Sequence, residues 1–383
     1  MDKKIYFKNL DGLRFFAFLS VFVSHIGMFM GYESHNFYFL TIRKYLLESG
    51  DLGVNFFFVL SGFLITTLLF KEKETFGRIE ISNFYIRRIL RIWPVYFLIL
   101  TLGFFVFPLW TSSIPLLPFG ILIEPHFIWW YAFFGGNFQM SYFTHQSVIV
   151  AILWSISVEE QFYLVWPHVV NFLKRNALVY VCLVIIAVSF MFRIYTAENE
   201  RLFHFFTISV MSDLAVGSLL AHAITIKSFR QKMERISRPA VATLYGSLLV
   251  LIPFKTFLSL SLTVFLHRVA YAGMPLLFSL IFAFIIAEQE FGTRLSWKAG
   301  NSKILSYLGK RSYGLYCFHM IAITLVLGTA YNLGALPHND SWIIYLTEIG
   351  AGFALTVVLA SASYSFLEKP FLSLRHHFSP SDR

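Results

Sequence analysis

The run "LRFFAFLSVFVSH", residues 13–25, holds a guanidinium, Arg14, and an imidazole, His25, in otherwise membrane-grade apolar sequence. On a helix the eleven positions that separate them amount to three turns plus about 20° and a rise of ~16–17 Å. The two side chains therefore share one face, stacked along the helix axis. A guanidinium fork suits an oxyanion, and an imidazole suits a general base or a nucleophile. The separation is comparable with the length of a pantetheine arm, so a nucleotide phosphate gripped at Arg14 would present a thioester close to His25. Taken alone, His25 is accounted for equally well by a neutral ring hydrogen-bonded inside a helix bundle. Asp11, three positions before Arg14, is placed to pair with it and fix its rotamer.

Other stretches carry groups that an apolar helix does not hold without a partner or a task. In "LWSISVEEQFYLVWP" (153–167) the carboxylates Glu159 and Glu160 are adjacent, and adjacent helical positions project about 100° apart. One of them is free for chemistry and the other for structure, with the choice open. In "KEKETFGRIEISNFYIRRILRIWP" (71–94), Arg88 and Arg91 are i,i+3 neighbours with Arg87 beside them, a pairing that suits phosphate recognition and equally suits topology-setting flanks. In "SYGLYCFHM" (312–320), Ser312, Tyr316 and His319 fall on one face as a polar stripe, for which helix–helix hydrogen bonding is a sufficient account. Ser61, followed by Gly62, fits close helix packing better than a nucleophile. The segment 111–149 is aromatic and has no Lys or Arg. Its Trp129 and Trp130, with Trp154 and Tyr163 further on, are candidate platforms for a sugar ring, although interfacial anchoring alone explains an aromatic belt.

The elements that must position these groups are membrane helices. With 57% hydrophobic and only 14% charged residues, the 383-residue chain is too apolar for an ordinary water-soluble globule, in which about a quarter of residues are charged. Runs of near-spanning length recur at 12–31, 51–70, 93–110, 150–170, 177–195, 206–226, 239–254, 270–288, 312–331 and 342–366, which predicts an all-α integral membrane bundle of about ten helices. The first run follows three lysines but lacks a small-residue cleavage site, so it reads as a retained helix. If spans alternate from a cytoplasmic N-terminus, all of the 31 Lys and Arg except Arg43, Lys44, Arg193, Arg201, Lys255 and Arg268 fall on the inner side. That asymmetry predicts both termini in the cytoplasm. The net charge of +10 then reports helix flanks meeting anionic lipid rather than nucleic acid. Cys182 and Cys317 lie inside spans without ligand spacing, so no metal is expected. No internal repeat divides the chain: residues 1–371 read as one transmembrane domain and 372–383 as a basic cytoplasmic tail.

Six stretches together resemble the acyltransferase 3 family of multi-spanning bacterial O-acyltransferases: "LDGLRFFAFLSVFVSH" (10–25), "LGVNFFFVLSGFLIT" (52–66), "FYIRRILRIWPVYF" (84–97), "LWSISVEEQFYLVWP" (153–167), "SYGLYCFHM" (312–320) and "YSFLEKPF" (364–371). They occur in the family's order from near the first residue almost to the last. The resemblance implies that the family's arginine–histidine signature falls on Arg14 and His25, its R-x-x-R pair on Arg88 and Arg91, and its acidic motif on Glu159 and Glu160. It implies transfer of an acyl group, usually acetyl, from cytoplasmic acyl-CoA to a sugar hydroxyl on the far side of a bacterial inner membrane. The acceptor would be a cell-surface or exported glycan or a lipid-linked precursor, such as lipopolysaccharide O-antigen, capsule or exopolysaccharide. The chain departs from the family at Asn55, where Asp is frequent; Asp51 is placed to compensate. Glu368 of the last motif reads as structural polar, like Asp11, Asn55 and the 312–319 stripe. Some relatives add an extracytoplasmic esterase-like domain, whereas this chain stops soon after "LEKPF", which predicts a stand-alone form served by the membrane domain or a separate extracytoplasmic partner.

On this reading Arg14, Arg88 and Arg91, with Arg87, hold the phosphates of acetyl-CoA. His25 acts as base or acyl relay, and Glu159 or Glu160 orients it. A glycolipid or small-anion transporter, with the same groups lining a translocation path, is the alternative from another class. An acetyl-CoA sensor without turnover is a third.

Overall fold

The computed structural model describes residues 7–30, 41, 44, 49–111, 124–143, 147–259, 265–294, 297–333 and 342–378. Lys3, Lys4, Arg43, two stretches of the aromatic segment (112–123 and 144–146) and the last five residues of the basic tail lie outside them. The described residues are helical, with no strand among them. The long helices are α1 (Lys8–Met30), α2 (Gly50–Phe76), α3 (Ile81–Thr101), α4 (Leu153–Phe172), α5 (Arg175–Tyr195), α6 (Thr207–Ala223), α7 (Arg238–Ser259), α8 (Phe265–Phe291), α9 (Ser312–Asn332) and α10 (Trp342–Ser363). Among the described residues nine helices are long and apolar enough to cross a membrane. The tenth expected span falls in α7, which joins Lys227–Glu234 at a bend of 88°.

Local chemistry sets the helix limits. At Gly77 the backbone turns left-handed (φ 74°), a conformation that only glycine adopts without steric cost, and its N–H closes α2 on the Lys73 carbonyl at 3.0 Å. The Lys73 ammonium donates to the carbonyls of Val170, Asn171 and Leu173, satisfying the exposed end of α4. Helix α3 begins at Ile81, well before the apolar run that the sequence marks from residue 93, so Arg87, Arg88 and Arg91 are part of the same helix as the span. It passes through Pro94 and loosens into a π-turn at Leu102–Val106.

Two apolar clusters share α1 and α2 as their common wall. A close seam runs between α2 and α6. A Cβ at Gly62 would lie 2.0 Å from the Leu214 carbonyl oxygen, and one at Gly217 would lie 2.0 Å from that of Val59. Each approach needs a glycine on one side, facing the backbone of Leu214 or Val59 on the other, the small-residue packing that membrane helices use in place of a hydrophobic driving force. The aromatic segment is tied into the bundle rather than lying loose on it. Tyr96 donates to the Tyr131 carbonyl at 2.7 Å, and the Gln161 amide donates to the Phe134 carbonyl and the Asn137 side chain, both at 2.8 Å.

Candidate active site

The α2/α6 seam leaves the opposite face of α2 free to line a cavity of ≈ 400 Å³ bounded also by α1, α3, α4, α9 and the chain after α10. Its lining on α2 runs from Val54 through Phe57, Ser61 and Leu64 to Leu68, roughly 21 Å of helix at 1.5 Å per residue. The cavity is therefore long, not round.

One end is basic. Arg14, Arg88, Arg91, Lys310 and Arg375 all line it. Arg14 is held by Asp11 at 2.7 Å, as its spacing predicts. Arg88 lies over the rings of Tyr163 and Phe84, at 5.5 and 5.6 Å from their centroids. The Nε atoms of both Arg88 and Arg375 are buried and without a hydrogen-bond partner. Two orphaned guanidinium donors in one cavity are what an oxyanion would satisfy, since an unmatched buried donor costs about 1–3 kcal/mol. Arg87 faces elsewhere: it is ion-paired with Glu72 at 2.8 Å and donates to the Phe378 carbonyl at 2.7 Å. That bond fastens the tail segment across α3, which brings Leu372 and Arg375 into the cavity wall.

The middle is a carboxylate cage. Ser61 donates to Glu159 at 2.6 Å, Tyr163 donates to it at 2.9 Å, and the two hydroxyls lie 2.9 Å apart. Glu160 points away, as the 100° offset requires, and accepts from the Trp93 indole at 3.2 Å while its other oxygen is buried and unpartnered. Of the two, Glu159 faces the cavity.

At the far end the Tyr316 hydroxyl bonds Ser155 at 2.7 Å and donates to the Ile152 carbonyl at 3.1 Å. The Tyr316 carbonyl lies 2.5 Å from Nδ1 of His319, whose Nε2 lies 3.1 Å from Nδ1 of His25. His25 is half-buried; neither it nor His319 lines the cavity, and His319 links it to the lining residue Tyr316. Ser312 and Glu368 also line the cavity, and Asn55 is buried on α2. Asp51 is ion-paired with Lys255 of α7, away from the cavity. Trp154 packs edge-on against Phe205 and Phe58, at 5.1 and 5.9 Å. Trp129 is 65% exposed and stacks on Phe133, and Trp130 is 38% exposed.

Sequence reasoning did not single out Ser61 or Arg375 as lining groups. Ser61 was hidden by Gly62: the glycine does pack, but the serine beside it turns to the opposite face, a placement legible from the helical spacing of Val54, Phe57, Ser61, Leu64 and Leu68. Ser155, four residues before Glu159 and eight before Tyr163, shares their helical face and lines the cavity with them. Arg375 lies far from Arg88 in sequence, and no local pattern links them.

This is an all-helical, multi-span membrane bundle built around an elongated cavity. The acyltransferase 3 family, described as an acyltransferase domain, matches residues 7–364, and the chain belongs to it. Among relatives, the O-acetyltransferase OatA of Staphylococcus aureus strain NCTC 8325 is 30% identical over 378 positions, covering 95% of this chain and 57% of its own length. A protein of Staphylococcus aureus strain COL, provisionally named an O-acetyltransferase, is 29% identical over 385 positions, covering 96% of this chain and 58% of its own. The chain thus spans less than three-fifths of the length of these curated relatives. No solved structure matches it.

Proposed function

We propose that the protein is an acetyl-CoA-dependent O-acetyltransferase of the bacterial inner membrane that acylates a hydroxyl of an exported or cell-surface glycan. The observation that carries this is the single elongated cavity, basic at one end, that reaches the Tyr316–His319–His25 chain at the other. Its length suits a pantetheine arm. The basic end, cytoplasmic by the positive-inside asymmetry, suits the phosphates. Arg88, Arg91, Arg375 and Arg14 bind them, with Lys310 at the rim, and burial between Phe57, Ile65 and Tyr313 keeps the arm extended.

In the transfer, His25 takes the proton of the glycan hydroxyl as its oxygen attacks the thioester carbonyl. The carbon–sulfur bond breaks, and the imidazolium returns the proton to the departing thiolate, leaving the ester and free CoA. Glu159, caged by Ser61 and Tyr163 and adjacent to Arg88, positions the arm rather than the imidazole. The name of the relative OatA supports acetyl as the acyl group.

The test is reconstitution of the purified protein in lipid nanodiscs with acetyl-CoA and a panel of glycan fragments. CoA release accompanied by a mass gain of one acetyl group on a glycan is the expected result. Movement of a glycan or anion across vesicles without CoA release would overturn the reading in favour of a transporter, and tight CoA binding with no turnover would overturn it in favour of a sensor.

A further inference from the structure

His25 and His319 come from helices at opposite ends of the chain, yet their rings sit 5.0 Å apart at a 41° tilt, with Nδ1 of His25 facing Nε2 of His319 at 3.1 Å. This contact, taken with the one behind it, determines where the protons are. A carbonyl oxygen can only accept, so Nδ1 of His319, at 2.5 Å from the Tyr316 carbonyl, carries a hydrogen. His319 is fully buried, and the edge of Phe18 closes on it at 6.1 Å. Neither ring is paired with a carboxylate among the described residues. An imidazolium there would be an uncompensated buried charge, so the ring is neutral. A neutral ring with its hydrogen on Nδ1 has a bare Nε2, which is an acceptor. The hydrogen in the 3.1 Å contact must then come from Nδ1 of His25. With His25 also neutral, it has one ring hydrogen, which the Val21 carbonyl of its own helix also attracts, and its Nε2 is left unprotonated.

We infer that His319 is the positioning residue that fixes the catalytic tautomer of His25, holding its hydrogen on Nδ1 so that Nε2 presents a free lone pair to the reacting hydroxyl or thioester. The Tyr316 carbonyl sets the tautomer of His319, and His319 sets that of His25. This is the part a carboxylate plays behind many catalytic histidines, performed here by a neutral ring. The reason lies in the surroundings. In an apolar interior a carboxylate would bring a second charge to be compensated, whereas a neutral imidazole supplies a directional acceptor at no such cost. The same backbone carbonyl belongs to a residue whose side chain lines the donor cavity, so the orientation of His25 is tied to the wall against which the thioester would lie.

The inference rests on His25 being the catalytic base or relay, and its test separates the two claims. Solid-state NMR of protein labelled with 15N-histidine, assigned by comparison with His25→Gln and His319→Gln, reads which ring nitrogen of each histidine carries the hydrogen, whether or not a glycan acceptor is known. The expected spectrum has both residues protonated at Nδ1. Protonation of His25 at Nε2 in the unaltered protein would overturn the inference and leave the acyltransferase reading standing. In the transfer assay, His319→Phe, which keeps the volume and removes the acceptor, is expected to lower kcat about 100-fold with KM for acetyl-CoA within about twofold. His319→Gln, which restores an acceptor oxygen, is expected to recover to within about tenfold of the unaltered rate. Equal kcat for the unaltered protein and His319→Phe would overturn the inference, as would equal losses in both variants with unchanged melting temperature.

Discussion

The buried carboxylates of Glu159 and Asp213 sit in clusters built from the same ingredients and arranged to opposite ends. Asp213 on α6 accepts from Ser279 at 2.8 Å and Ser212 at 3.1 Å and faces Arg193 at 3.5 Å, with Arg193 2% exposed. Glu159 on α4 also accepts from two hydroxyls, but the nearby guanidinium, Arg88, lies over an aromatic ring; the Nε atoms of Arg88 and Arg193 are alike buried and without a hydrogen-bond partner. The first cluster is enclosed by α5, α6 and α8; the second borders the cavity. An enclosed charge pair specifies how helices dock, whereas the same groups beside a cavity are available to a ligand. Charge burial alone therefore does not mark a site, and adjacency to a cavity is what separates the two.

That distinction can be broken by substitution. The largest expected effect is at the end of the open region: His25→Ala lowers acetyl transfer by about 10²–10⁴-fold while the melting temperature in detergent stays unchanged. A parallel fall in melting temperature would place His25 with the structural cluster instead. Next is the enclosed pair: Arg193→Ala leaves Asp213 without its cation and is expected to cost about 3–5 kcal/mol of stability, read by thermal unfolding, with KM for acetyl-CoA unchanged in the folded fraction. Arg88→Ala and Arg375→Ala should each weaken CoA binding by about tenfold or more, measured by titration calorimetry, because each removes a charge-assisted contact to phosphate. If neither changes affinity, the basic end of the cavity reverts to a topology signal.

Gly62→Ala sharpens the comparison from the scaffold side. Its Cβ meets a backbone oxygen that cannot move away, so the α2/α6 seam opens at a cost of about 1–3 kcal/mol, and Ser61 on the other face of α2 shifts with it. The smallest effect is expected at Trp129→Ala. This exposed side chain should change stability by less than about 0.5 kcal/mol and leave the donor KM untouched, while raising KM for a glycan acceptor if its ring is a sugar platform.

Much of the cavity lining was legible in the sequence because its members sit on helices with readable phase. Asp11 and Arg14 pair as i,i+3 neighbours, Glu159 and Glu160 diverge as adjacent helical positions must, and Ser312 and Tyr316 share the cavity face. The structure refines these within one turn. Arg88 and Arg91 line the cavity but Arg87, on the neighbouring face, is committed to Glu72 and Phe378. His319, grouped by spacing with Ser312 and Tyr316, lies 3.1 Å from His25. The residues that escaped, Ser61 and Arg375, are set by which side of α2 packs on α6 and by where the chain after α10 crosses α3.

The sequence by itself determined the solvent, the helix number and the helix faces, because apolar run length and 3.6-residue periodicity are local properties of the chain. It also determined that Arg14 and His25 stack along one helix, since rise per residue needs no partner. Only the tertiary structure decided which of several buried charges border a cavity, that the opposite ends of the chain close that cavity together, and that His25 meets His319. These are long-range contacts between helices, and their geometry depends on how closely backbones approach at Gly62 and Gly217 and on which side chains the packing leaves without partners.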